Sequence, residues 1–366
     1  MKLKEIIHTF ERRVPKSLQE KWDYSGLNLG SPDHKVTSVL FSYDICKEVI
    51  DAAIKKRCQL IVSHHPYRMN ATVNMDLDSY EGQIITRCIK NNIALYSSHT
   101  NHDASEDSLN IYYLRKLKLK DIKPLARAET KLFKLAVYVP CTHTNKVMNA
   151  LFKAGAGHIG NYSECSFRTQ GTGSFKGNSF TNPAIGKKMQ REEVLEDRLE
   201  VILRELDLDT VLAGLKTAHP YEEVAYDIYP LQNKITSLGI GAFGYSQKGF
   251  TRTECIKKIK QIFKIKHLRF VPGPNKKYKT IGICTGSGAS LINTALMNNL
   301  DLFITGDVKY HQAIHAKRHN LSIADVGHFH SEKESALLLK NIFASLFKSQ
   351  LNYLIYKDLK DAFLTA

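Results

Sequence analysis

The stretch LIVSHHPYRMN (60–70) is an apolar run that ends in two adjacent histidines and a proline. Similar runs of strand length end near His99 and Asp103, near Asp307 and His311, and near His328 and Glu332. Imidazole together with carboxylate is a ligand chemistry suited to zinc, iron, manganese or cobalt. Side chains of neighbouring strand residues point to opposite faces, so His64 and His65 share one site only where the chain leaves strand geometry. Pro66 favours that departure, because it disfavours helix at His65 and cannot continue a central ladder. Two adjacent imidazoles can then serve two adjacent ions, one each, and a carboxylate such as Glu332 can bridge them.

His328 and Glu332 are four residues apart across the expected start of a helix, whose partial positive charge favours an ionised carboxylate. Asp103 adds an oxygen ligand from another strand end. His64, His65, Asp103, His328 and Glu332 together would hold two ions and leave positions open for water or substrate. A single histidine at a strand end is more often a hydrogen-bonded structural residue. It is the recurrence at several strand ends that points to metal, with the ion unspecified.

Those ends must be positioned by an α/β sheet. Apolar, β-branched runs at 36–44, 58–66, 92–103, 279–288, 300–307 and 321–328 alternate with helical periodicity at 47–57, 79–92 and 289–299. In open α/β sheets, ligands bind outside the carboxyl ends of strands, where these residues fall. Near the end, 331–347 reads as one helix, with Ser331 and Glu334 spaced as a capping box. Lys257–Phe270 carries Ile259, Ile262, Phe263 and Ile265 and reads as an amphipathic helix with lysines on its solvated face. GSGAS (286–290) is a turn between strand and helix, equally suited to cradling a phosphate or to close packing.

Between about 131 and 230 the texture changes to a β-α-β-β-α-β order, which predicts an inserted ferredoxin-like unit. The expected organisation is a split α/β metal-binding domain, 1–130 and 231–366, carrying an α+β insertion at 131–230. At 366 residues the chain is long for a single domain. No segment approaches 18 uninterrupted apolar residues, so no membrane span is expected. There is no signal-peptide pattern, and the seven cysteines form no C-x-x-C pair, which suits reduced thiols in a cytoplasm. The net charge of +16 favours anionic partners such as a nucleotide. Nucleic acid would suit that charge too, but no nucleic-acid-binding motif appears, and aromatic residues are not interleaved with the lysines.

The segments WDYSGLNLG (22–30), LIVSHHP (60–66), YSSHTNHDAS (96–105), GICTGSGASLI (282–292), FITGDVKYHQA (303–313) and DVGHFHSE (325–332) closely resemble the Nif-three-like family, whose bacterial members are called GTP cyclohydrolase 1 type 2 homologues. The resemblance spans nearly the whole chain. It implies two divalent ions per subunit on His64, His65, Asp103, His328 and Glu332, with Glu332 between them. It implies a PII- or CutA-like insertion, a homohexamer, and a metal-dependent hydrolase opening the guanine ring of GTP. His99 is the candidate for orienting a ligand or moving a proton. Three places depart from the family's usual pattern: Tyr24 after Trp22-Asp23, His102 where an apolar residue is usual, and His330 close behind His328. His102 and His330 could serve as extra ligands or as donors behind the ligands, and exposed or packing roles are the favoured expectation for both. A non-enzymatic metal-binding hexameric adaptor, binding nucleic acid or protein, is the alternative function.

Overall fold

A computed structural model describes residues 1–67, 75–128, 131–160, 162–234 and 238–363. The chain divides into two compact units, Met1–Ala128 with Thr236–Ala366, and Glu129–Ile235. In the discontinuous unit the first segment supplies strands β1 (Gly26–Leu29), β2 (Ser38–Ser42), β3 (Leu60–Ser63), β4 (Ala94–Ser97) and β5 (Lys120–Arg127). The continuous unit contains β6 (Lys131–Pro140), β7 (Ser166–Lys176), β8 (Arg191–Arg204) and β9 (Tyr226–Lys234). The final segment adds β10 (Gly239–Thr251), β11 (Arg269–Val271), β12 (Lys277–Ile283), β13 (Leu302–Thr305), β14 (Ser322–Asp325) and β15 (Asn352–Ile355).

Two sheets build the discontinuous unit. The first has the order β1-β4-β3-β2-β15, in which β4, β3, β2 and β15 run parallel and β1 closes the edge antiparallel. The second has the order β11-β14-β13-β12-β10-β5, with β12, β13 and β14 parallel. The parallel core strands β2, β3, β4, β13 and β14 are buried at every position. That is why they read as continuous apolar runs rather than as alternating ones.

Helices cover both faces of each sheet. Leu3–Arg13 turns Leu3, Ile6 and Phe10 inward at helical spacing, and Phe10 meets Phe343 of the helix Ser335–Phe347 with ring centroids 4.8 Å apart. Lys47–Lys55 and Tyr80–Lys90 cover the opposite face through Val49, Ile50, Ala53, Ile84 and Cys88. On the second sheet Leu109–Lys116 and Arg252–Phe263 pack Leu109, Tyr113, Leu114, Cys255, Ile259 and Phe263 around Tyr278 and Ile281. Each large apolar side chain so buried contributes about 1.5–3 kcal/mol.

The lysine-rich helix differs from its expected span. It starts at Arg252 behind a Thr251–Glu254 capping box and ends at Lys264, whose left-handed backbone (φ 55°) stops it before Ile265. The C-terminal helix is also interrupted. A short helix, His328–Glu332, precedes Ser335–Phe347, and Ser331 is not a cap. Its hydroxyl donates to the His328 carbonyl (2.7 Å) and accepts from the Gly286 N–H (2.8 Å), so it ties two loops together instead.

The continuous unit has the chain order β-α-β-β-α-β, with helices Thr144–Lys153 and Leu208–Ala218, and an all-antiparallel sheet ordered β7-β8-β6-β9. Its core joins Leu135, Val137, Val139, Leu199 and Val201 of the sheet to Val147, Leu151, Val211 and Leu215 of the two helices. Among the described residues, no helix is long and apolar enough to cross a membrane.

Candidate metal centre

The carboxyl ends of parallel strands from both sheets of the discontinuous unit converge on one cluster. β3 ends at Ser63, whose hydroxyl donates to the His65 carbonyl (2.6 Å), and the chain turns away at Pro66. His64 and His65 therefore both face the cluster, with ring centroids 5.1 Å apart. β4 ends at Ser97 and leads through His99 into the one-turn helix Thr100–Asp103, which carries Asp103 inward. From the second sheet, β14 ends at Asp325. Gly327 (φ 80°) then starts the short helix that presents His328 and Glu332.

Glu332 is the hub. Its Oε1 lies 3.7 Å from His64 Nε2, and its Oε2 lies 3.3 Å from His65 Nε2 and 3.0 Å from His328 Nε2. Asp103 Oδ2 lies 4.0 Å from His64 Nε2. Donors bonded to one tetrahedral zinc at about 2.0–2.1 Å stand roughly 3.4 Å apart, a separation close to these spacings. His64 Nε2 and Asp103 Oδ1 are buried without a hydrogen-bond partner. Buried polar atoms are nearly always satisfied, and a cation would satisfy both.

The opposite ring nitrogens are all engaged. His65 Nδ1 lies 2.6 Å from Asp44, His328 Nδ1 2.7 Å from Asp307, His99 Nδ1 2.9 Å from Asp23, and His64 Nδ1 3.2 Å from the Ser98 carbonyl. In the neutral imidazoles these acceptors favour the proton on Nδ1 and turn the Nε2 lone pair to the cluster, the outer-partner pattern of metal-binding histidines. Among the described residues, three groups bring potential ligand atoms within 4.8 Å of one another: His64, His65 and His99; His64, His102 and Asp103; and His65, His328 and Glu332. The chain thus contains His/Asp/Glu groups able to bind metal.

The carboxyls and imidazoles of the cluster shift one another strongly. Burial raises the Asp103 pKa well above its usual value, and the neighbouring Glu332 carboxylate raises it further. Burial acts on Glu332 in the same direction, but His328, His64 and His65 reverse it and hold its pKa well below normal. Two buried carboxyls this close do not both ionise unless a cation compensates them. Burial opposes protonation of His65, yet Asp44 and Glu332 raise its pKa to about 10. Glu332 likewise outweighs burial at His328, and with Asp307 raises that pKa to about 9.

Residues 1–359 match the Duf34/NIF3 (NGG1p interacting factor 3) family. This chain belongs to that family. The similarity to curated Duf34/NIF3 relatives runs the length of the chain: a Halalkalibacterium halodurans protein called GTP cyclohydrolase 1 type 2 homolog is 40% identical over 88% of this chain and 87% of its own. A Bacillus subtilis protein of the same name is 35% identical over 89% and 87%. Among solved structures, a Bacillus cereus protein related to NIF3 superposes with a TM-score of 0.86 at 35% identity, covering 100% of this chain and 99% of its own. A Staphylococcus aureus protein matches with a TM-score of 0.74 at 26% identity over 100% and 99%.

All five residues predicted as ligands in this Duf34/NIF3 chain meet in the cluster, and His99 joins them. His311 does not; it is exposed on the helix Tyr310–Arg318. Asp307 reaches the cluster as the partner of His328 rather than as a ligand. GSGAS is a packing turn: the Gly286 N–H bonds Ser331 and the Gly288 N–H bonds Thr305, so these donors are not free for phosphate. A side chain at Gly286 would sit 2.1 Å from Glu332 Oε1. His102 is fully buried, not exposed. His330 is half-buried between Lys333 (3.0 Å) and Asp361 (3.4 Å), away from the cluster. Sequence reasoning missed Asp44, Asp23 and Tyr43, whose hydroxyl donates to Glu332 (3.3 Å). The signal available was their own position, Tyr43 and Asp44 just beyond β2 and Asp23 in WDYSG. A cavity of about 970 Å³ opens onto His65 and His328, with Lys266, Arg269 and Lys360 on its wall.

Proposed function

We propose that this protein is a metal-dependent hydrolase holding two divalent ions per subunit, zinc, iron or manganese, and acting on a nucleotide. The convergence of His64, His65, Asp103, His328 and Glu332 at the strand ends, with two buried ligand atoms otherwise unpartnered, carries this reading. The substrate, GTP, is taken from the name of the relatives called GTP cyclohydrolase 1 type 2 homolog, and the reaction proposed with it is hydrolysis at C8 of the guanine ring, opening the imidazole and releasing formate.

When bound, the ions supply Lewis acidity that makes water a nucleophile near neutral pH and polarises the group attacked. Glu332 directs one oxygen toward His64 and the other toward His65 and His328, so it would serve as a ligand shared by the ions. His99, held on Nδ1 by Asp23, presents its other nitrogen to the cluster and holds or passes a proton there. The lysines and Arg269 lining the cavity, together with the overall positive charge, draw in a polyphosphate. The subunit is further proposed to work as a cytoplasmic homohexamer with a PII- or CutA-like insertion.

Metal content of the purified protein, compared with His65→Ala and Glu332→Ala, tests the centre. Wild-type protein that takes up no divalent transition metal, or variants that retain it fully, would sink the assignment. Incubating loaded protein with GTP and assaying formate tests the reaction. Cleavage of other nucleotides without formate release would keep the hydrolase and discard the ring opening. Light scattering or sedimentation of the full chain reads the assembly.

A further inference from the structure

His102 has no accessible surface and sits in the short helix one residue before Asp103. Its Nε2 lies 3.1 Å from the Asp107 carbonyl, which only accepts, so Nε2 carries the proton and donates. Nδ1 then carries a lone pair, and it is buried with no hydrogen-bond partner. His64 is fixed in the mirror sense: the Ser98 carbonyl takes its Nδ1 proton and leaves an Nε2 lone pair, which is also unpartnered. Asp103 Oδ1 is the third such atom. His64, His102 and Asp103 bring ligand atoms within 4.8 Å of one another, and the two imidazole rings stand nearly perpendicular (78°) with centroids 6.3 Å apart. With Asp103 ionised these are three buried acceptors with no donor among them, each left unsatisfied unless something positive joins them. Satisfying one through a side-chain shift would still leave the other two.

We propose that His102 is a further metal ligand through Nδ1, joining His64, Asp103 and Glu332 on one ion. This rests on the two-ion reading above. It makes the two positions unequal. The ion on His64, His102, Asp103 and Glu332 has four protein ligands and is closed, as structural zinc sites are. The ion on His65, His328 and Glu332 has three and keeps an open position. The cavity agrees with this division, since it is walled by His65 and His328 but not by His64, His102 or Asp103. The closed ion is therefore the tighter one and anchors Glu332, while the open ion faces whatever enters the cavity.

The test is a titration of metal-stripped full-length protein with zinc against a chromophoric chelator, for wild type and His102→Leu. Two classes of site are expected in the wild type. In His102→Leu the tighter class should weaken by about 100-fold or more, beyond the roughly 10- to 100-fold that outer partners contribute. The weaker class should lose less than the tighter one, since it shares only Glu332 with it. Thermal unfolding gives a second readout that packing alone would not produce. Metal-free His102→Leu loses the orphaned acceptor and also the hydrogen bond to the Asp107 carbonyl, so each protein serves as its own metal-free baseline, and the gain on adding zinc should be smaller in His102→Leu than in wild type. X-ray absorption of His65→Ala loaded with one equivalent of zinc, in which the position shared by His65 and His328 has lost an imidazole, should show two imidazoles on the ion. One imidazole there, or equal affinities in His102→Leu and wild type, would overturn the proposal while leaving the metal centre standing. A wild type that binds no zinc would overturn both.

Discussion

Removing the carboxylate behind His65 should weaken metal binding without unfolding the protein. Asp44 Oδ1 lies 2.6 Å from His65 Nδ1, with the Asp44 side chain 45% exposed and that of His65 19% exposed. A hydrogen bond to a charged group contributes about 1.5–3 kcal/mol, and half-exposure to water lowers that to roughly 1–2 kcal/mol. Converted to affinity, this is about 5- to 30-fold. Asp44→Asn keeps an acceptor for Nδ1–H and loses only the charge, so it belongs near the lower figure. Asp44→Ala also frees the ring to rotate and change tautomer, and should approach about 100-fold. Zinc titration against a chelator at fixed pH measures the loss, with thermal unfolding of the metal-free proteins as the folding control. If Asp44→Ala binds zinc as tightly as a zinc-binding wild type, the orienting role is wrong, and so is the inference that Nε2 of His65 is the ligand atom.

Gly286→Ala would place a methyl group 2.1 Å from Glu332 Oε1, so it should both destabilise by roughly 1–3 kcal/mol in urea unfolding and strip metal from the purified protein. Asp23 accepts hydrogen bonds from His99, Ser25 and Thr100; burial alone would raise its pKa, but these partners hold it well below the usual carboxyl range. A depressed carboxyl contributes stability above its unfolded pKa of about 3.9 and loses it as pH falls toward the folded value. The stability gap between wild type and Asp23→Asn should therefore be full at pH 7, persist to about pH 4, and close only in stronger acid, as read by denaturant midpoints across pH. Phe343→Ala, at the meeting of Phe10, Phe41 and Phe347, should cost about 3–5 kcal/mol in the same unfolding assay.

The buried parallel strands were legible in the sequence because both faces of such a strand are apolar, which makes LIVS and LFIT stand out. Termination was less legible. The capping-box spacing at Ser331 and Glu334 is real as a pattern, but Gly286 competes for the Ser331 hydroxyl and wins it, so the helix breaks before Ser335. Lys264 stops its helix by a left-handed backbone turn that nothing in the lysine-rich periodicity signals.

Residue type and placement at strand ends were enough to single out His64, His65, Asp103, His328 and Glu332 as candidates that the fold then brings together, because ligand chemistry is a property of the side chain and the ends of parallel strands gather on one side of a sheet; the same reasoning also pointed to His311, which lies outside the cluster. What only the tertiary structure decided is which partner stands behind each imidazole. Asp44, Asp307, Asp23 and the Ser98 carbonyl lie 21, 21, 76 and 34 residues from the histidines they hold. No local periodicity links such pairs; they meet because two sheets direct their strand ends toward one another. The same convergence buries His102 beside His64 and Asp103 and leaves its Nδ1 without a hydrogen-bond partner, which its position in the sequence does not signal.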